Sequence, residues 1–203
     1  MTQRSLEQIL LPDGTRLRLT IAAPESAVRG GIVVGPEAHG VTDAVWQLAA
    51  GLAGEGWLAV IPHLSAESVH PDTDAAFDWL ARRGVTPDRI GVVGLGLGGA
   101  VALIVATQRD LGAAVTIGGT GVVTPVAATL PALVDIAPDL RCPWLGIYDQ
   151  DGEVPEEEVR KLRDAAHSAQ VATDLVHCRF DTDQSVAPEA WARTLNWFGS
   201  HLR

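Results

Sequence analysis

Two segments near the start of the chain alternate apolar and polar residues: Leu6 to Leu11, then Thr15-Arg16-Leu17-Arg18-Leu19-Thr20-Ile21. Pro12-Asp13-Gly14 between them is turn chemistry, so the pair is predicted to form an antiparallel hairpin at a sheet edge. From Gly30 the pattern changes to short continuous apolar runs. Gly31 to Val34, Trp57 to Ile61, Asp88 to Val93, Ala113 to Ile117, Pro143 to Asp149 and Val171 to His177 read as strands. Helical segments lie between them: Thr42, a cap, to about Glu55, then Pro71 to Arg83, Ala100 to Ala106, Glu156 to Ala169 and Pro188 to Leu202. Thr124 to Leu140 is expected to be a looser connection. Strand and helix in alternation after a hairpin imply a mostly parallel, doubly wound α/β sheet with helices on both faces. No repeat, low-complexity run or linker interrupts the pattern, so residues 1–203 are expected to form one domain.

One junction carries the chemistry. Gly94-Leu95-Gly96-Leu97-Gly98-Gly99 joins a strand to a buried helix, the setting of a nucleophile elbow, G-x-S-x-G, whose middle residue attacks the substrate. Here the middle residue is Gly96, which has no side chain. Gly94, Gly96 and Gly99 also spell G-x-G-x-x-G, a dinucleotide fingerprint. That motif needs an acid at the end of the next strand, and this one runs into Gly118-Gly119-Thr120-Gly121. No cofactor is expected.

A net charge of -10 argues against nucleic acid or an anionic membrane surface as partner, since both select Lys/Arg clusters. No run of about 18 apolar residues offers a membrane span, and the polar start Met1-Thr2-Gln3-Arg4 lacks a signal-peptide core. Two cysteines, Cys142 and Cys178, point to a reducing, cytoplasmic location. His39 and His63 follow strands whose carboxyl ends form the ligand edge of such sheets, so both are candidate cleft residues beside Glu37 and Asp151. No H-x-x-H spacing supports a metal site. His177 and Cys178 are neighbours in a strand and should face opposite ways.

Taken in order, these residues resemble the dienelactone hydrolases. Gly31-Ile32-Val33-Val34-Gly35-Pro36-Glu37-Ala38-His39-Gly40-Val41 is similar to that family's strand and loop ending in Glu. Trp57-Leu58-Ala59-Val60-Ile61-Pro62-His63-Leu64 is similar to its next strand, with His63 where Asp is common. Gly94 to Gly99 matches its elbow, and Asp151-Gly152-Glu153-Val154-Pro155 its acid turn, D-x-x-V-P. The resemblance implies an α/β-hydrolase fold. It assigns the nucleophile position to Gly96, the acid to Asp151 and a side-chain partner to Glu37. The oxyanion donors would be the Leu97 amide and an amide of Glu37 or Ala38, because Pro36 has no N–H. The family histidine lies in a G-x-x-H-x-F turn; setting Phe180 on its phenylalanine puts Cys178 at the histidine. Two of three triad members are therefore replaced. The expectation is a catalytically degenerate hydrolase kept as a small-molecule-binding or interaction protein, with a homodimer compatible. The alternative is a hydrolase of small carboxylic esters or lactones using a non-standard nucleophile or an activated water. A Ser, Cys or His side chain beside the Leu97 amide would separate the two.

Overall fold

A computed structural model describes residues 3–37, 39–63, 69–180 and 186–203. Eight strands join in one sheet: β1 (Gln3–Leu10), β2 (Arg16–Ala23), β3 (Gly30–Gly35), β4 (Trp57–Pro62), β5 (Ile90–Leu95), β6 (Ala113–Ile117), β7 (Trp144–Asp149) and β8 (Thr173–Cys178). Their order is β1-β2-β4-β3-β5-β6-β7-β8. The predicted hairpin is present: β1 pairs antiparallel with β2, and β2 antiparallel with β4. Asp13 shapes its turn by accepting from both the amide and the hydroxyl of Thr15. Every pairing from β4 through β8 is parallel.

Alternate residues of the central strands feed two apolar layers. On one face Ile32, Ile61 and Val93 pack against α1 (Asp43–Gly54) and α6 (Pro188–His201) through Leu48, Leu52 and Phe198. On the other, Val33, Val60 and Val92 meet α2 (Val69–Arg82), α3 (Leu97–Gln108) and α5 (Glu156–Ala166) through Phe77, Leu80, Leu103 and Leu162. Each such side chain contributes about 1.5–3 kcal/mol on burial. α3 is apolar all round, with Gly98 to Ala106 buried, as a helix in the middle of a layer must be. Among the described residues no helix is long and apolar enough to cross a membrane.

Three boundaries differ from the sequence pattern. α3 starts at Leu97, three residues before the first apolar stretch, because the glycines at its start are themselves helical. The loose segment contains a short helix, α4 (Leu133–Ile136), followed by a single 3₁₀ turn. β8 is Thr173–Cys178, one register step later than expected at its end.

Three glycines let α3 dock. A Cβ on Gly94 would overlap the Gly98 carbonyl, a Cβ on Gly98 would overlap the Gly35 carbonyl, and a Cβ on Gly35 would stand 2.7 Å from the Gly98 oxygen. Gly94→Ala is therefore expected to lower unfolding free energy by about 3 kcal/mol, since the clash is with backbone that cannot rotate away. Gly199→Ala, in an exposed helical position with no atom within 4 Å of the new methyl, should raise it by about 0.5–1 kcal/mol. Urea unfolding of the two variants measures both signs.

Candidate active-site cleft

The site is built where β5 hands the chain to α3. Gly96 takes φ 53° and ψ -116°, a conformation that costs a residue with a side chain about 1–3 kcal/mol. The bend starts the helix at the next residue, so the Leu97 N–H stands at the positive end of α3. It has no backbone acceptor among the described residues. The elbow is pinned from behind. The Gly96 amide donates to the Ile117 carbonyl at 2.9 Å, while the Gly96 carbonyl accepts from Ala100 at 3.1 Å and Thr120 at 3.4 Å. Below, the Trp144 indole N–H donates to the Thr116 hydroxyl at 3.0 Å, which donates to the Gly99 carbonyl at 2.9 Å. Among the described residues, a Cβ on Gly96 would meet no atom within 4 Å. No described residue fills the space a nucleophile would occupy.

Two lobes, each of about 300 Å³, meet at Gly96, Gly118 and Phe180. The first is walled by the apolar side chains of Ala44, Leu95, Ile117, Val186 and Ala187, with Glu37 at its rim. Glu37 is held by the Thr42 hydroxyl, which donates to Oε2 at 2.9 Å and caps α1 by accepting from the Val45 amide. The second lobe is bordered by Thr120, Tyr148, Asp149, Glu153 and Val154. The Tyr148 hydroxyl has no hydrogen-bond partner among the described residues, and burial pushes its pKa above the usual phenol value.

The acid turn puts its two carboxylates in different places. Asp149, at the end of β7, borders the second lobe and accepts from the amides of Phe180 at 3.2 Å and Asp151 at 3.3 Å through Oδ1. Asp151, the acid position by motif, is 80% exposed and lies 3.9 Å from Arg179. It does not border either lobe. A carboxylate on the turn itself reaches solvent; the one at the strand end reaches the cleft.

Four further residues border neither of the two lobes. Cys178 is buried in the layer under α6, where burial, and then the neighbouring Glu189, push its thiol up. His177, one residue earlier, faces the opposite layer, with Nδ1 3.5 Å from Arg163 Nη2. His63 sits two strands from the elbow; it serves the hairpin instead, pairing at 2.8 Å with the buried Thr20 hydroxyl. His39 is exposed and borders neither lobe. Ala38, the alternative oxyanion donor, lies outside the described residues, as do residues 181–185 after β8. Among the described residues no Ser, Cys or His side chain borders the two lobes, and no three His, Cys, Asp or Glu side chains stand where they could share a metal ion. Tyr148 and Asp149 border the second lobe without having been singled out by the sequence motifs. The available signal was their position at the carboxyl edge of the sheet, where ligands bind in open α/β folds.

Comparison with known proteins bears on the family and the fold. The sequence pattern of the dienelactone hydrolase family matches residues 64–202. A Salmonella typhi protein named as a carboxymethylenebutenolidase is 27% identical over 84% of this chain and 77% of its own. An Escherichia coli K12 protein of the same name is 28% identical over 82% of this chain and 75% of its own. A crystal structure named as a dienelactone hydrolase from Klebsiella pneumoniae superposes with a TM-score of 0.82 at 24% identity, covering 97% of this chain and 99% of that one.

Two outcomes follow from the local geometry. Gly96→Ser meets open space but must adopt the positive φ, so it should lose about 1–3 kcal/mol in urea unfolding; an unchanged midpoint would show that the turn imposes no strain. His63 has its pKa lowered below the ordinary 6.5, first by burial and then by Arg18 and Arg4. The unfolded chain therefore binds the proton more readily, and stability should fall as pH drops below about 6.5. His201 is shifted the same way. His63→Gln, which can still bond Thr20, should flatten part of that decline in melting temperatures taken from pH 7 to 5.5.

Proposed function

The chain belongs to the dienelactone hydrolase family, and from that premise we propose that it keeps the family's cleft as a binding site for a small uncharged ester or lactone without turning it over. One observation carries the reading: the elbow presents Gly96, with no atom of the described residues in place of a reacting side chain. Nucleophilic acyl transfer needs an attacking atom, a base to take its proton and an acid to orient the base. After His177 the chain has no histidine until His201, which packs at a tilt against Trp197 near the end of α6. Removing the nucleophile alone from such a triad costs on the order of a million-fold in rate.

Binding needs less. The Leu97 amide at the start of α3 is positioned to receive a carbonyl oxygen through the main chain. Apolar walls beside it suit a compact ring or acyl chain. Glu37 and Asp149 stand at the edges of the two lobes and disfavour a carboxylate ligand by like-charge repulsion. The two cysteines are free and buried, which supports a reducing, cytoplasmic setting.

Hydrolysis of p-nitrophenyl acetate and of dienelactone is expected to stay within about a thousand-fold of the reaction in water, the residue an oxyanion site leaves when its triad is gone. Gly96→Ser should restore none, for want of a base. A fluorophosphonate should label no residue, while γ-butyrolactone titrated into the labelled protein should shift the Leu97 amide resonance. Esterase-like turnover abolished by Asp149→Asn or Asp151→Ala would overturn the reading in favour of a hydrolase working through activated water. Absence of lactone binding would leave the interaction role.

A further inference from the structure

Two buried side-chain polar atoms lack a hydrogen-bond partner among the described residues, Tyr148 Oη and His177 Nε2, and they belong to adjacent strands. Tyr148 and His177 are register partners on β7 and β8, so both side chains leave the same face of the sheet. Tyr148 is 1% exposed and borders the second lobe of the cleft. Its hydroxyl lies 3.2 Å from where a Cβ would stand on Gly119, beside the turn that edges that lobe. His177 borders a third cavity, of about 300 Å³, with Gln150 and Glu156. Asp149 and Val154 border both spaces, so the lobe and this chamber adjoin at the end of β7.

The groups present define the chemistry of an occupant. A guanidinium donates and never accepts. An Arg163 N–H directed at His177 Nδ1, 3.5 Å away, fits the tautomer that carries its proton on Nε2. Tyr148 and His177 thus offer two donors with nothing to receive them, and leaving such groups unpaired in the interior is costly. Asp149 uses Oδ1 to hold two backbone amides, and its Oδ2 is an acceptor. An anion would satisfy the donors but meet Asp149, Glu153 and Glu156. A hydroxyl satisfies both sides, since it accepts from Tyr148 or His177 and donates to Asp149.

We propose that the carboxyl ends of β7 and β8 form a subsite for a neutral, hydroxylated portion of the molecule the cleft takes, with Tyr148 and His177 donating and Asp149 accepting. The subsite rests on the binding role argued above. It makes Tyr148 a selectivity residue rather than a packing one.

Two lactones with the same five-membered ring test it: γ-butyrolactone, with no hydroxyl, and erythronolactone, with two adjacent ones. Wild type should bind erythronolactone about 5–10-fold more tightly by calorimetry, the scale of one or two added hydrogen bonds. Tyr148→Phe should bind the two alike, and melt at or above wild type because an unpaired hydroxyl is gone. His177→Ala, at a partly exposed position, should also narrow the preference and serves if the Phe variant folds poorly. A purely structural Tyr148 would leave the ratio of affinities unchanged. Equal wild-type affinities for the two lactones would overturn the subsite and leave the binding role standing. Binding of neither would overturn the binding role, and the subsite with it. A crystal soaked in erythronolactone that shows only ordered water at Tyr148 would likewise reject the subsite.

Discussion

The close approach of α3 to β3 and β5 is the contact on which the rest of this molecule depends. Gly94, Gly98 and Gly35 have no side chains between backbones that nearly touch, so the helix can begin one residue after the strand's bend. That contact fixes the direction of α3, the position of the Leu97 amide and the location of the cleft. It also explains why the elbow keeps its shape around a residue that cannot react. The Gly96 main chain is bonded to Ile117, Ala100 and Thr120, and the Trp144–Thr116–Gly99 chain of hydrogen bonds supports it from below. None of those bonds uses a side chain at position 96.

Much of the fold was legible in the sequence because its signals are local and strong. The hairpin could be read from period-two alternation around Pro12-Asp13-Gly14, and the parallel sheet from buried runs alternating with helices. The elbow was equally legible, since Gly96 sits between a strand and an apolar helix and its positive φ is a property of the turn. Side-chain destinations were not, because they depend on neighbours remote in sequence. His63 ends a strand at the correct edge, yet β4 is flanked by the hairpin, and the buried Thr20 hydroxyl takes the imidazole. Cys178 matched a motif position but falls on the α6 side of the sheet.

The acid turn illustrates the same limit at shorter range. Asp149 and Asp151 are two residues apart, and the motif favours the second. The strand ends at Asp149, so that residue still has a fixed direction and borders the cleft. Asp151 lies on the exposed turn beyond it, with its carboxylate turned to Arg179. Tyr148 escaped notice for the opposite reason: one hydroxyl in an apolar strand reads as core, and only its missing partner marks it out.

Since the bend at Gly96 is held by main-chain bonds, folding and chemistry are separable there. A change at this position alters what the cleft can do to a bound molecule while the scaffold that shapes the cleft persists. A lineage with this architecture can therefore abandon a reaction in one step and remain a well-formed protein, available for other uses. The reverse step is harder. A new side chain must accept a strained backbone and also find a base, and the second requirement lies on a different strand.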